Sequence, residues 1–406
     1  MTAANPTARA VHRASLAALA ALTAALAGCG AEPLVERTQV PAPVGAQPLP
    51  HPRGAVAVGS LDVLSADDGE EPQSDDDAAD LPPLPADLST PGPYGVGVRT
   101  VEVMDVSRDR QFAVDVWYPI EPGTADGEAN EYQVDLPLIG TVSRIASPAR
   151  RDATPAALGP RPLVVFSHGY GGVRFQSVFL TEHLASWGVV VAAPDHPGNT
   201  LSDVALLGNE DAAAQSAQDR PLDVAVVLDR MVADGLGTGL TVDAARIATS
   251  GHSFGGWTSL EVARRDARVR AILPLAPGFK AGATPDFVAT LGRPVLFVGG
   301  TLDDTCEFDT DQQLPYGLAQ TPKHLLGVVG AGHLDFSNLC DVAIARAFVD
   351  DGCNPDNIEP AVVHQRVRAV GTAFVLRYLL DDLRAEERLA ESVVSALGDV
   401  TYQRAP

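Results

Sequence analysis

The chain has 406 residues, 46% of them hydrophobic, and sets 52 acidic side chains against 29 basic ones, a net charge of −23. That length and apolar content suffice for a sizeable globular core. The excess of carboxylates argues against a nucleic-acid binder, which needs clustered Lys and Arg to neutralise phosphates, and disfavours electrostatic docking on anionic lipid.

The first residues read as an export signal. Arg9 and Arg13 precede an Ala- and Leu-rich run from Ala14 to Ala27, too short for a comfortable membrane span of about 20 residues. The run ends in Leu26-Ala27-Gly28-Cys29, which resembles the lipobox of bacterial lipoproteins. The resemblance implies cleavage before Cys29, acylation of that residue, and stable membrane anchoring through several acyl chains. Gly30, and not Asp, follows the Cys, which by resemblance to enteric lipoproteins favours the outer membrane of a bacterial envelope over the inner one, with the rest of the chain outside the cytoplasm. The alternative is an ordinary secretory signal with an incidental Cys.

Residues 30–92 read as a tether. They are rich in Pro, Ala and Asp, and no basic residue occurs between Arg53 and Arg99. Like charges repel and Pro blocks regular structure, so an extended, disordered spacer is expected. From Gly95 the pattern changes. Val98–Val106 and Gln111–Tyr118 alternate apolar and polar residues around Ser107-Arg108-Asp109-Arg110, which predicts an antiparallel hairpin. Strands are predicted at Leu163–Ser167, Val189–Ala193, Arg246–Ser250, Val269–Leu275, Val295–Val298 and His324–Val329. Helical patterns lie between and after them, around Phe175–Trp187, Pro221–Asp234, Phe254–Asp266 and Pro360–Leu380, the last with Val363, Val367, Val370 and Phe374 on one face. Near-continuous apolar strands alternating with helices predict a mostly parallel α/β sheet covered on both faces. The segments Gly123–Pro160 and Thr200–Arg220 read as surface excursions over the site.

The chemistry concentrates after three of these strands. Gly251-His252-Ser253-Phe254-Gly255 fits G-x-S-x-G between a predicted strand and a predicted helix, the context the motif requires. The tight turn presents the Ser253 hydroxyl beside a helix N-terminus, which favours developing negative charge. A neutral Ser needs a base, and the base needs an orienting acid. The order of a nucleophile-elbow hydrolase, Ser then acid then His, is met. Gly299-Gly300-Thr301-Leu302-Asp303-Asp304 places acids after one strand, and Gly330-Ala331-Gly332-His333 places a His after the next. Asp303 is preferred as the acid for its depth in the loop, Asp304 follows, and Asp335 is third. Glu307, Asp309 and Asp311 leave open a loose calcium site between Asp303 and Asp311, with a solvated acidic loop as the other reading.

An oxyanion hole needs two converging N–H donors. Phe254 supplies one, and Tyr170, in the loop Ser167-His168-Gly169-Tyr170-Gly171-Gly172, supplies the other. His168 and His252 read as structural. Asp195-His196-Pro197-Gly198-Asn199-Thr200 either lines the entrance to the site or is a turn fixed by Pro and Gly. After Cys29 is set aside, Cys306, Cys340 and Cys353 remain, which gives one disulfide and one thiol left over. Cys340–Cys353 is preferred for its short loop, with Cys306–Cys340 as the alternative. No zinc-type spacing occurs, so no metal is expected.

The segments FSHGYGG, WGVVVAAPDHPGNT, GHSFGGWTS, FVGGTLDDTC and GAGHLDF together resemble the platelet-activating factor acetylhydrolase and dienelactone-hydrolase-like branch of the α/β hydrolases. They also resemble bacterial cutinase-like polyester hydrolases. The resemblance, spanning roughly Gly92 to Leu380, implies the α/β-hydrolase fold with a Ser253–Asp303–His333 triad. It also implies an oxyanion hole at Tyr170 and Phe254, no cofactor, and an ester substrate of short-acyl, lipid-like or polyester type. Two departures matter. Leu275-Ala276-Pro277 carries no acid where plasma acetylhydrolases place theirs, and Ser253 stands where true dienelactone hydrolases have Cys. The expected organisation is therefore a signal peptide at 1–28, a tether at 29–92 and an α/β-hydrolase catalytic domain at 93–406. A serine peptidase of the same fold and a non-catalytic, lipid-anchored binding protein are the rivals. The lack of a large N-terminal propeller opposes the first, and the full set of site residues opposes the second.

Overall fold

The structure, a computed structural model, describes residues 84–136, 140–207, 211–279, 284–342 and 351–406. Cys29, the signal-like run and most of the acidic tether lie outside the described residues. Among the described residues eleven strands form one sheet in the order β11-β10-β9-β8-β7-β5-β6-β2-β1-β4-β3. Its centre is parallel: β6 (Val190–Pro194), β5 (Arg161–Ser167), β7 (Val242–His252), β8 (Val269–Leu275), β9 (Val295–Gly300) and β10 (Lys323–Val328). These are the six strands expected from the apolar runs. The expected hairpin is β1 (Gly95–Asp105) with β2 (Arg110–Ile120), paired antiparallel in continuous register.

Period-two alternation feeds two cores. Val164 and Phe166 of β5 point into one, and Leu163 and Val165 into the other; Leu296 and Val298 of β9 alternate with Val295 and Phe297 in the same way. The first core is roofed by helices α1 (Val178–Ser186) and α4 (Pro360–Leu379), the second by α2 (Asp211–Asp234) and α3 (Phe254–Arg265). Val363, Val367, Val370 and Phe374 of α4 are all buried, as their spacing requires. This is the α/β-hydrolase arrangement, a mostly parallel sheet with helices on both faces.

Three features differ from the sequence reading. Residues within 123–160 do not arch over the site. They form a second antiparallel hairpin, β3 (Glu128–Leu136) and β4 (Gly140–Arg151), at the far edge of the sheet beyond β1. Its outward face is Glu, Gln, Asp and Arg, which suits an exposed edge and hides the strand signal. Inward, Tyr132 and Val134 join the first core, and the Tyr132 hydroxyl accepts from the Trp117 indole at 2.6 Å and donates to Glu182 at 2.7 Å. A short antiparallel strand, β11 (Val400–Ala405), closes the other edge against β10. The end of the expected tether is docked, with Leu88 in the first core and the Gly92 N–H donating to Ser186 Oγ at 2.8 Å.

Candidate active site

Ser253 links β7 to α3 in a conformation that L-residues rarely adopt, φ 57° and ψ −120°. The strain is held from both sides: the Ser253 N–H donates to the Leu275 carbonyl at 2.9 Å, and the Ser253 carbonyl accepts from Trp257 and Gly278 at 3.1 and 3.2 Å. Glycine is required two residues either way. A Cβ at Gly251 would lie 2.5 Å from the Ser167 carbonyl oxygen, and a Cβ at Gly255 would collide with that same oxygen. The close approach of the loop after β5 to the elbow therefore sets the G-x-S-x-G spacing. Phe254 is the first residue of α3, so its N–H belongs to the helix turn that has no intrahelical acceptor.

His333 follows β10, and its imidazole lies beside the elbow, 4.6 Å from the ring of His252. Its Nδ1 meets Asp303 Oδ2 at 2.9 Å, and Asp303 Oδ1 accepts the Cys306 N–H at 2.6 Å. Burial pushes the Asp303 carboxyl above the ordinary carboxylate range, with His333 and the Cys306 N–H opposing it. Asp304 is exposed. The Asp335 carboxylate accepts the N–H groups of Gly332 and Cys353 at 2.8 and 2.7 Å, which makes it a clasp inside the His333 loop. Of the three acids considered, Asp303 is the one bonded to the His333 ring. Among the described residues the other acids between Asp303 and Asp311 do not converge on a shared point. Asp311 instead accepts the Phe279 N–H at 3.1 Å.

Among the described residues Cys340 and Cys353 form a disulfide, and Cys306 is a buried thiol outside it. The disulfide stands beside Asp335, and as a disulfide it offers no thiolate to a metal.

Four polar side chains that the sequence did not single out hold these loops together. Gln176 accepts the Gly169 N–H at 2.9 Å and donates to His252 Nδ1 at 2.7 Å, and His252 Nε2 donates to the His333 carbonyl at 2.9 Å. One chain of bonds thus joins the Tyr170 loop, the elbow and the His333 loop. Burial drives the His252 pKa well down, which keeps the ring neutral and able to accept at Nδ1. Asp351 joins the His333 loop to the Asp303 loop, accepting from His333 N at 2.8 Å and Thr305 N at 2.7 Å.

Arg220, fully buried near the middle of α2, bonds the carbonyls of His168 and Gly169. Asp223, one turn along, accepts from Arg108, Arg110 and His196. Most of their partners lie far away in sequence, and no local pattern marks any of the four.

Part of the segment Asp195–Thr200 turns inward, while Asp195, Pro197, Gly198 and Thr200 stay partly exposed. His196 and Asn199 are fully buried beneath the Tyr170 loop, with His196 Nε2 at 2.9 Å from Ser167 Oγ and Asn199 Oδ1 accepting from Arg220. Both side chains are closed off from solvent, and Asn199 Nδ2 is buried with no hydrogen-bond partner among the described residues. His168 is likewise structural, its Nδ1 donating to the Gly169 carbonyl at 2.7 Å. Tyr170 itself is half-buried against the second core.

The arrangement can support acyl transfer. A hydroxyl sits on a strained turn at a helix N-terminus, an Asp–His pair is anchored on the next loops along the carboxyl edge of the sheet, and backbone donors flank the turn. Residues 152–351 match the PET hydrolase-like family. The chain is 29% identical over 197 residues to cutinase est1 of Thermobifida alba, covering 46% of this chain and 60% of that protein. It is 32% identical over 173 residues to cutinase 2 of Thermobifida cellulosilytica, covering 42% of this chain and 59% of that one. The chain thus spans about 60% of the length of the curated relatives it matches. A ferulic acid esterase from Streptomyces cinnamoneus superimposes with a TM-score of 0.62 at 26% identity, covering 78% of this chain and 99% of the esterase. The chain is therefore an α/β-hydrolase-fold protein, similar across residues 152–351 to the PET hydrolase-like family.

Proposed function

We propose that the protein is a serine carboxylic-ester hydrolase. The observation that carries this reading is the strained Ser253 elbow beside a His333 ring bonded to Asp303. Ser253 attacks the ester carbonyl while His333 takes its proton, and Asp303 holds the ring and stabilises the imidazolium. The Tyr170 and Phe254 N–H groups receive the oxyanion, the alcohol leaves with the proton from His333, and water activated by His333 then releases the acid. The matched relatives, named cutinases and a ferulic acid esterase, support esters over amides and favour the polyester-hydrolase branch over the acetylhydrolase branch. Reaction with a fluorophosphonate tests the nucleophile: Ser253 becomes labelled in the wild type, and labelling at another residue, or none, removes the reading.

The placement belongs to the same proposal. The lipobox-like Leu26-Ala27-Gly28-Cys29 supports an exported protein held at a bacterial envelope membrane by a lipid on Cys29. Incorporation of an alkyne fatty acid in wild type, lost in Cys29→Ala, is the expected result. Equal labelling of both rules the anchor out.

A further inference from the structure

The most deeply buried cation among the described residues bonds the peptide that leads into Tyr170 and lies against the Phe254 ring. Arg220 is 0% exposed, and among the described residues every hydrogen-bond partner of its guanidinium is neutral. Nη1 donates to the His168 carbonyl at 2.5 Å, Nη2 donates to the Gly169 carbonyl at 2.9 Å and to Asn199 Oδ1, and the group lies 4.5 Å from the centre of the Phe254 ring. Burial lowers its pKa to about 9, which still leaves it charged at neutral pH. The Asp223 carboxylate one turn along offsets part of that burial without bonding the guanidinium, and a buried charge with no direct carboxylate bond is costly for a fold to keep.

The Gly169 carbonyl and the Tyr170 N–H are two ends of one planar trans peptide, so they point in opposite directions. The carbonyl end is held by Arg220, by His168 Nδ1 at 2.7 Å and by the Gly172 N–H at 3.2 Å. The preceding N–H, that of Gly169, is held by Gln176. Three donors on the oxygen, one of them a cation, fix the plane of the peptide and polarise its N–H, because hydrogen bonds through one amide reinforce each other in a low-dielectric interior. We infer that Arg220 is a positioning residue of the oxyanion hole, aiming and strengthening the Tyr170 N–H through the Gly169 carbonyl and supporting the second donor through the Phe254 ring. This rests on the ester-hydrolase reading of the site.

The test compares wild type, Arg220→Met and Arg220→Lys in the full chain, with Ser253→Ala beside them, on p-nitrophenyl butyrate and with phenylboronic acid as a tetrahedral mimic. Loss of one oxyanion donor outright costs roughly 100–1000-fold in kcat. Loss of its alignment is expected to lower kcat about 10–100-fold in Arg220→Met, with KM within about threefold and boronate affinity falling in step with kcat/KM. Arg220→Lys keeps the charge but is shorter and lacks the planar two-pronged fork that grips both carbonyls, so its kcat should fall between the two, and it serves alone if the Met variant does not fold. A kcat within twofold of wild type in a folded variant, or a loss confined to KM with boronate affinity unchanged, overturns the inference. Failure of the ester-hydrolase reading would show separately, as a wild type no more active than Ser253→Ala.

Discussion

Asp351 bonds His333 through the backbone, its Oδ1 accepting the His333 N–H at 2.8 Å, while its Oδ2 accepts the Thr305 N–H at 2.7 Å and the Thr305 hydroxyl. One carboxylate thus spans the loop of the acid and the loop of the base. A displacement of about 1 Å at a reacting group can cost 100-fold in rate. Asp351→Ala should therefore lower kcat about 10–100-fold while Ser253 still reacts with a fluorophosphonate, only more slowly. Steady-state kinetics on p-nitrophenyl butyrate check this, and an unchanged kcat would reduce Asp351 to a surface turn.

The neighbouring acids separate cleanly. Asp303 is buried and bonded to His333 Nδ1, whereas Asp304 is exposed. Asp303→Asn should lose about 10,000-fold in kcat, because an amide there stabilises the wrong tautomer of the base. Asp304→Asn should stay within about threefold, as surface substitutions away from such features usually change little. The reverse order of losses would reassign the acid.

The central strands and the nucleophile were legible because the signals are local. Val295–Val298 and Leu325–Val328 are continuous apolar runs, and each ends in a Gly-rich turn that carries an acid or a His. The supporting residues were not legible, because their meaning lies in distant partners. Arg220 bonds a carbonyl 52 residues away, and Gln176 bonds a His 76 residues away. Nothing in the neighbourhood of either says so. The β3–β4 hairpin was missed for another reason. Edge strands carry polar side chains on their free face, so Glu128–Leu136 reads as loop although Tyr132 and Val134 alternate correctly.

The Cys340–Cys353 bond closes a short loop, its ends 13 residues apart, directly after the His333 turn. Removing a disulfide across a loop of that size costs about 3 kcal/mol. Cys353→Ser should lower Tm by several degrees, and a reductant should do the same to wild type but not to the variant. An identical Tm with and without reductant would mean that the bond contributes nothing to stability.

Acid should unfold the protein well above the carboxylate range. Burial lowers His183, His196, His324 and His364 to about 4, against 6.5 for an unperturbed His. Because the folded pKa lies below the unfolded one, the unfolded state binds more protons between these values. Stability is complete above pH 6.5 and falls as pH drops toward 4. Each such group costs at most about 1.4 kcal/mol per pH unit in that window. Tm measured at intervals from pH 8 to 4 should hold down to about 6.5 and then fall steeply, and a flat profile to pH 4 would contradict the burial of these rings.

The central claim is that Ser253 is the nucleophile of an esterase, and hydrolysis of p-nitrophenyl esters from acetate to palmitate by the full chain, beside Ser253→Ala, tests it most directly. The account expects turnover of the shorter esters by wild type and a loss of several orders of magnitude in the variant. Hydrolysis that persists in Ser253→Ala, or none by either protein, would contradict it.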